Sequence, residues 1–415
     1  MTDTFGGAVQ GVFPAALLMR GLLIVVFLLW ALQGRGVKAD FRQMITASLL
    51  YFCVFFFLHF LIDFNAAAVS LEASATLRLL YAPLLACYVA ACLTTGLLLA
   101  EDARRVILAY GWLILLSLLL GQITGLGGAI GGRGLEAGKG FMIGANEVGL
   151  MLLLTCPVVV ADLQRRLRWT ALVAIVALPL YGWAAVYVFT KSSLFVPVVC
   201  AAAIFALCQR AGGWSLRIAY LLLIAGGAVA VSAALSQLDL ILTFAQSTFF
   251  RSLFDDGMIV FLFRGRQDYI EAIYPRLAGH EFSALFWIFG AGEFHVRAIS
   301  EAPLMLLRGE GTTFEMDVFD LIACYGIVGT TVYAVLLRRA MAPIARAGLG
   351  WPAVLAVGAV FIHGFMAGHV VFSPQVMTLL ILLAAASTAA ALRNPIPAPS
   401  PAEAPATPPL HALHP

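Results

Sequence analysis

Apolar blocks long enough to cross a lipid bilayer run almost end to end through this chain, and they leave it few ways to fold. Crossing the hydrocarbon core takes about 20 helical residues. A spanning segment must also satisfy its own backbone hydrogen bonds, which makes helices the choice here. Of 415 residues, 62% are hydrophobic and 11% charged, with a mean hydropathy of +0.97. A soluble globular chain carries about 25% charged residues, so this one lacks the polar exterior that a water-borne core of such size would need. The expected class is all-α: a polytopic membrane bundle of about eleven (10–12) transmembrane helices. The spans read as residues 12–33, 44–62, 79–100, 106–126, 145–163, 169–189, 193–209, 218–235, 317–337, 351–371 and 374–392.

Orientation follows from the basic residues, which favour cytoplasmic loops. Arg35, Lys38 and Arg42; Arg104 and Arg105; Arg165, Arg166 and Arg168; Arg210 and Arg217; Arg338, Arg339 and Arg346; and Arg393 make up 14 of the 25 Lys and Arg, all in alternate short loops or the C-terminal flank. Those loops are expected in the cytoplasm, with the N-terminus outside and the C-terminus inside. Arg20 interrupts the first block; read as a re-entrant or doubled segment, that block would move the N-terminus inside and change nothing else. No cleavable leader is expected, because Gln33-Gly34-Arg35 follows the first block where a small-residue cleavage site would stand.

Within the 1–392 bundle, residues 236–316 form one large outer loop with six basic and ten acidic residues. Its apolar stretches, such as Phe282–Gly290, suit short helices on the membrane surface or over the bundle. A loop of this length usually carries function. Residues 393–415 are rich in Pro and Ala and read as a disordered cytoplasmic tail. The seven cysteines fall inside apolar blocks without metal-ligand or CxxC spacing and read as small buried hydrophobes.

Polar residues in or near a membrane that are not topology signals tend to be functional. Five groups qualify, all on the expected outer face. Lys139, Asn146 and Glu147 lie in KGFMIGANEVG, ahead of the fifth span. The preceding GGRGLEAGKG lacks phosphate-loop spacing and a strand, so a nucleotide site is rejected; Asn146 and Glu147 are either helix-opening cap residues or functional. Lys191, in the Thr190-Lys191-Ser192 turn, either snorkels or offers an ammonium to a phosphate or sugar hydroxyl. Arg264 and Arg266, with Asp268, stand in FRGRQDYIEAIYPRL; guanidinium forks suit a diphosphate, though a solvated charged face is the default. Glu315, Asp317 and Asp320 open the ninth span as a candidate general base or as acids that complement the helix dipole. His369, with His363 about two turns earlier, is a helix-bridging or a site residue.

In their order and spacing these groups resemble the bacterial O-antigen ligase/polymerase family over roughly residues 100–385. The residues that carry the resemblance are KGFMIGANEVG before a span and TKSSLF after one, then FRGRQDYIEAIYPRL…WIFGAGEF in the large loop. EMDVFDLIACYGIVG opens the next span, and AGHVVFSP lies near the end. The resemblance implies a metal-independent glycosyltransferase without cofactor, in the bacterial inner membrane. Such an enzyme moves a glycan from an undecaprenyl-diphosphate carrier to an acceptor hydroxyl on the periplasmic side. Arg266 matches the arginine of the family's large-loop motif, and Lys191 stands where many members have a basic residue after the sixth span. Ligases of the family place a histidine just before the span that follows the large loop. This chain has Glu315-Met316-Asp317 there, which looks more like the polymerase-type members and implies Glu315 or Asp317 as the base. The implied partners are the lipid-linked oligosaccharide, membrane lipid, and flippase and chain-length regulator proteins; no nucleic acid is expected. The alternatives are a ligase acting on lipid A–core or protein, and a transporter or flippase. A flippase would carry charges at mid-span and often internal repeats.

Overall fold

The computed structural model describes residues 15–32, 39–62, 66–125, 139–141, 145–188, 190–211, 263, 266–280, 283–299, 316–345, 350–368 and 370–393. The expected eighth span, much of the large loop, Arg264, Glu315, His369 and nearly all of the tail lie outside them. Every regular element among the described residues is a helix: α1 (Ala15–Leu32), α2 (Ala39–Ile62), α3 (Ala66–Thr95), α4 (Ala100–Thr124), α5 (Ala145–Leu167), α6 (Thr170–Val188), a 3-10 turn (Ser193–Phe195), α7 (Val196–Ala211), α8 (Arg266–Ala278), α9 (Ser283–Phe289), α10 (Asp317–Met341), α11 (Trp351–Ala367) and α12 (Pro374–Arg393). A further helical stretch covers residues 293–299.

Six of these, α2 to α6 and α10, are long and apolar enough to cross a membrane; α7, α11 and α12 are apolar but shorter over their described residues. The outward faces match a hydrocarbon solvent. On α2, Leu50, Val54, Phe57 and Leu61 are all exposed and recur at helical spacing, an apolar stripe that in water would drive association. The chain is a helical protein embedded in a membrane.

Two apolar cores meet chiefly along one helix. The first is built from α4 to α7 with α11; the second from α1 to α3 with α8 to α10. Helix α12 serves both, giving Val376, Met377 and Leu380 to the first and Ile381, Ala384 and Ala385 to the second. It packs against α3, α4 and α5 and joins the halves.

One boundary departs clearly from the sequence reading. Residues 66–78, expected as part of an outer loop before a span at 79–100, are the first turns of α3, so only residues 63–65 separate α2 from α3. Glu72 interrupts the apolar run in the sequence, yet it is 2% exposed and hydrogen-bonded to His59 of α2 at 2.9 Å. A charge paired in this way need not leave the bundle.

At one end of the bundle, charges tie the start of α4 to the end of α5. Arg104 reaches Asp162 at 3.4 Å and Arg165 faces Glu101 at 3.9 Å, while within α5 Arg166 donates to Asp162 at 2.7 Å. Asn146, in the first turn of α5, lies sixteen residues before Asp162, about 24 Å along the helix axis. The candidate residues gather at that other end.

Candidate functional site

The first acid of α10 is held by the turn that follows α11. Asp317 is 3% exposed, and its Oδ2 accepts hydrogen bonds from the backbone amides of Val370 at 2.9 Å and Val371 at 3.0 Å. Gly364 of α11 makes room for this carboxylate: a Cβ there would stand 2.9 Å from the same oxygen. Asp320, also buried, accepts from the Met316 amide at 3.0 Å and so satisfies one of the amide donors at the helix entrance. Each of these acids therefore spends one oxygen on backbone. His363 is buried on α11.

A second cluster joins two stretches that are far apart in sequence. Ser192 Oγ donates to the Asn146 carbonyl at 3.3 Å, and Ser193 Oγ binds the carbonyls of Ala185 at 2.9 Å and Thr190 at 2.8 Å. Thr190, Ser192 and Ser193 are buried, so the Thr190–Ser193 turn, which carries Lys191, is wedged against the opening of α5. Gly149 permits the approach, since a Cβ would lie 2.6 Å from Thr190 Oγ1 and in direct collision with Ser192. Lys139 sits nearby in sequence on a segment that dips beside α4: the Phe141 amide donates to Ser117 Oγ at 3.1 Å. Gly140, at φ +60°, lies so close that a Cβ would stand 2.8 Å from the Ser117 carbonyl. Gly149→Val is expected to destabilise the protein by about 1–3 kcal/mol through overpacking, measured as a lower unfolding temperature in detergent. An unchanged temperature would mean that the turn is not seated against α5.

Arg266 opens α8, is 3% exposed and is engaged by neighbouring groups. Its helix is fixed over α10: Tyr274 Oη donates to the Phe319 carbonyl at 3.2 Å, and the Tyr274 ring lies 5.3 Å from Trp287 of α9. Burial, with the nearby Asp320 carboxylate adding to it, raises the Tyr274 phenol above its ordinary pKa and keeps it a donor. The Phe263 ring is 6.3 Å from Phe365 of α11, which in turn is 6.1 Å from Phe319. Three residues of chain reach at most about 11 Å, so Arg266 is confined to the region over the α10–α11 entrance where Asp317 sits.

A third cluster was not picked out in the sequence. His59 of α2 and Glu72 of α3 are 1% and 2% exposed and share a hydrogen bond of 2.9 Å. Glu72 Oε1 also accepts from the Phe294 amide at 2.8 Å. Next to them α10 is broken: Gly326 has φ 64°, ψ −177°. The break frees two carbonyls, which large-loop backbone satisfies: the Ala291 amide donates to Ala323 O at 2.8 Å and the Gly292 amide to Cys324 O at 3.0 Å. Glu293 reaches Cys324 Sγ at 3.7 Å and accepts from Arg297. The available signals were His59, an ionisable residue inside a span, and GAGEF, a glycine pair beside an acid.

Helix contacts relate the clusters. Helix α5 packs against α11 and α12, and the turn between those two, Gly368–Ser373, contains the amides that hold Asp317. The Phe205–Trp351 ring contact, 6.2 Å, sets the start of α11 beside the second half of α7. The end of α11 thus comes up toward the start of α7 and Lys191. Among the described residues no group of three or more His, Cys, Asp or Glu is arranged to hold a metal ion. Chemically, the arrangement sets two basic side chains, Lys191 and Arg266, and the buried carboxylates of Asp317 and Asp320 among hydrogen-bonded serine and threonine hydroxyls. Comparison with protein-family models, with curated proteins and with solved structures found no match.

Proposed function

We propose that the protein is a polymerase of O-antigen or exopolysaccharide repeat units, working in the bacterial inner membrane with its site toward the periplasm. It moves a glycan from an undecaprenyl-diphosphate carrier to a sugar hydroxyl of the acceptor repeat unit. One observation above all supports this reading: groups scattered through the sequence come together in pairs at one end of the bundle. Ser192, next to Lys191, bonds the Asn146 carbonyl at the start of α5, and Asp317 bonds the turn after α11.

A diphosphate is already a good leaving group. The protein must therefore mainly neutralise charge as the glycosyl–oxygen bond breaks, align the acceptor, and take the proton of its hydroxyl. Arg266, with Arg264 and Lys191, supplies the cations; Glu315 or Asp317 takes the proton. A lipid carrier accounts for a site at the end of a bundle rather than in a water-filled domain, and the described loop helices α8 and α9 are suited to act as part of a lid. The test is purified protein in proteoliposomes with a lipid-linked repeat unit: a ladder of elongated glycans with release of carrier diphosphate is expected. Donor that crosses the bilayer without being elongated would instead make the protein a flippase. In cells, loss of the gene should leave single capped repeat units on the lipopolysaccharide, whereas loss of a ligase leaves none.

A further inference from the structure

We propose that Glu72 and His59 are positioning residues: they latch the loop segment 290–294 into the break of α10 and thereby hold the strap formed by α8 and α9 over the site. The consequence for transfer rests on the function proposed above; the latch itself does not.

Gly326 breaks α10. A spanning helix that breaks leaves carbonyls without amide partners, and inside a membrane bundle such irregular backbone persists only where other protein groups satisfy it. The partners here are the amides of Ala291 and Gly292. They come from a loop segment whose bonds to α10 are these two backbone contacts and the Cys324–Glu293 contact. The approach is close: a Cβ on Gly326 would stand 2.5 Å from the Gly290 nitrogen. What secures the far side of this segment belongs to α2 and α3. Glu72 accepts from the Phe294 amide at 2.8 Å and from His59 at 2.9 Å. Gly292, at φ +81°, lies so near that a Cβ would be 2.6 Å from Glu72 Oε1 and 3.0 Å from the His59 ring. The pair thus grips loop backbone rather than a loop side chain.

The grip is passed along the chain. Gly290 ends α9, α9 packs on α10, Trp287 of α9 lies against Tyr274 of α8, and α8 begins with Arg266. Releasing residues 290–294 removes the floor on which Arg266 is held. Cys324 reports that release directly, because it is fully buried, lies under Gly290 and Gly292, and faces Glu293.

The experiment reads the rate at which a small water-soluble methanethiosulfonate modifies Cys324 in membranes, resolved by peptide mass spectrometry. Glu72→Ala should raise that rate about tenfold or more, the shift in open population expected on losing two buried hydrogen bonds. Glu72→Gln should stay within about twofold of wild type, because its amide oxygen still accepts from Phe294 and His59 can bond its amide group in the other tautomer. Gly292→Ala, which pushes on the same contact from the loop side, should also raise labelling. Where polymerisation is measured alongside, Glu72→Ala should lower kcat while the KM for donor stays within about twofold. Cys324 as protected in Glu72→Ala as in wild type, or modified equally fast in Glu72→Ala and Glu72→Gln, overturns the latch. The labelling result stands whether or not the protein makes polymer. If Glu72→Ala exposes Cys324 while purified wild-type protein builds no glycan ladder from lipid-linked repeat units, the latch survives and the transferase reading fails.

Discussion

Arg266→Ala is expected to cut polymer formation about 100-fold or more while membrane abundance stays within about twofold of wild type. The size follows from the job assigned to the residue: removing one preorganised group that meets developing negative charge costs about 10²–10³ in rate. Arg266 is 3% exposed, so its charge works in a setting where water screens little. The guanidinium also offers a planar fork that meets two phosphate oxygens at once. Lysine keeps the charge but loses the fork, so Arg266→Lys should recover part of the activity, to within about tenfold of wild type. The measurement is the length distribution and yield of polymer in a complementation assay, with immunoblots of the membrane fraction. Wild-type-length polymer from Arg266→Ala would remove this residue from the mechanism. Loss of the protein from the membrane would instead show that the guanidinium serves packing.

The helices were readable because the bilayer makes the rule so strict: α5, α6 and α10 lie close to the apolar blocks expected at 145–163, 169–189 and 317–337. The reading failed where a charge is satisfied by a distant partner. Glu72 looked like a loop residue because its partner, His59, stands thirteen positions earlier, and hydropathy along the chain cannot see that pairing. Gly326 looked like any glycine of a membrane helix, where glycine is common. Its break depends on amides of Ala291 and Gly292, more than thirty residues upstream. The candidate residues themselves were visible as unexplained polar groups, but their grouping was not. The Ser192 bond to Asn146 and the Asp317 bonds to Val370 and Val371 cross 46, 53 and 54 positions.

Those bonds also divide the acids at the opening of α10. Asp317→Ala is expected to destabilise the protein by about 2–4 kcal/mol, because the amides of Val370 and Val371 would lose their acceptor in a buried place and each unsatisfied group costs about 1–3 kcal/mol. Asp317→Asn keeps a carbonyl oxygen for the same two amides and should fold at wild-type abundance. Its activity is the informative quantity. With Oδ2 already committed to two amides at 2.9 and 3.0 Å, Asp317 serves to tie the two helix ends together, and Asp317→Asn should keep at least about a tenth of the wild-type rate. Glu315 stands two residues ahead of it and should carry the proton transfer. Glu315→Gln should then lower the rate about 100-fold or more, the range general-base catalysis supplies, without lowering the unfolding temperature in detergent. The reverse pattern, an inactive but stable Asp317→Asn beside an active Glu315→Gln, would move the base to Asp317 and make the Val370–Val371 turn its positioning element. Either result separates an acid that holds the two helix ends together from one that acts on the acceptor hydroxyl.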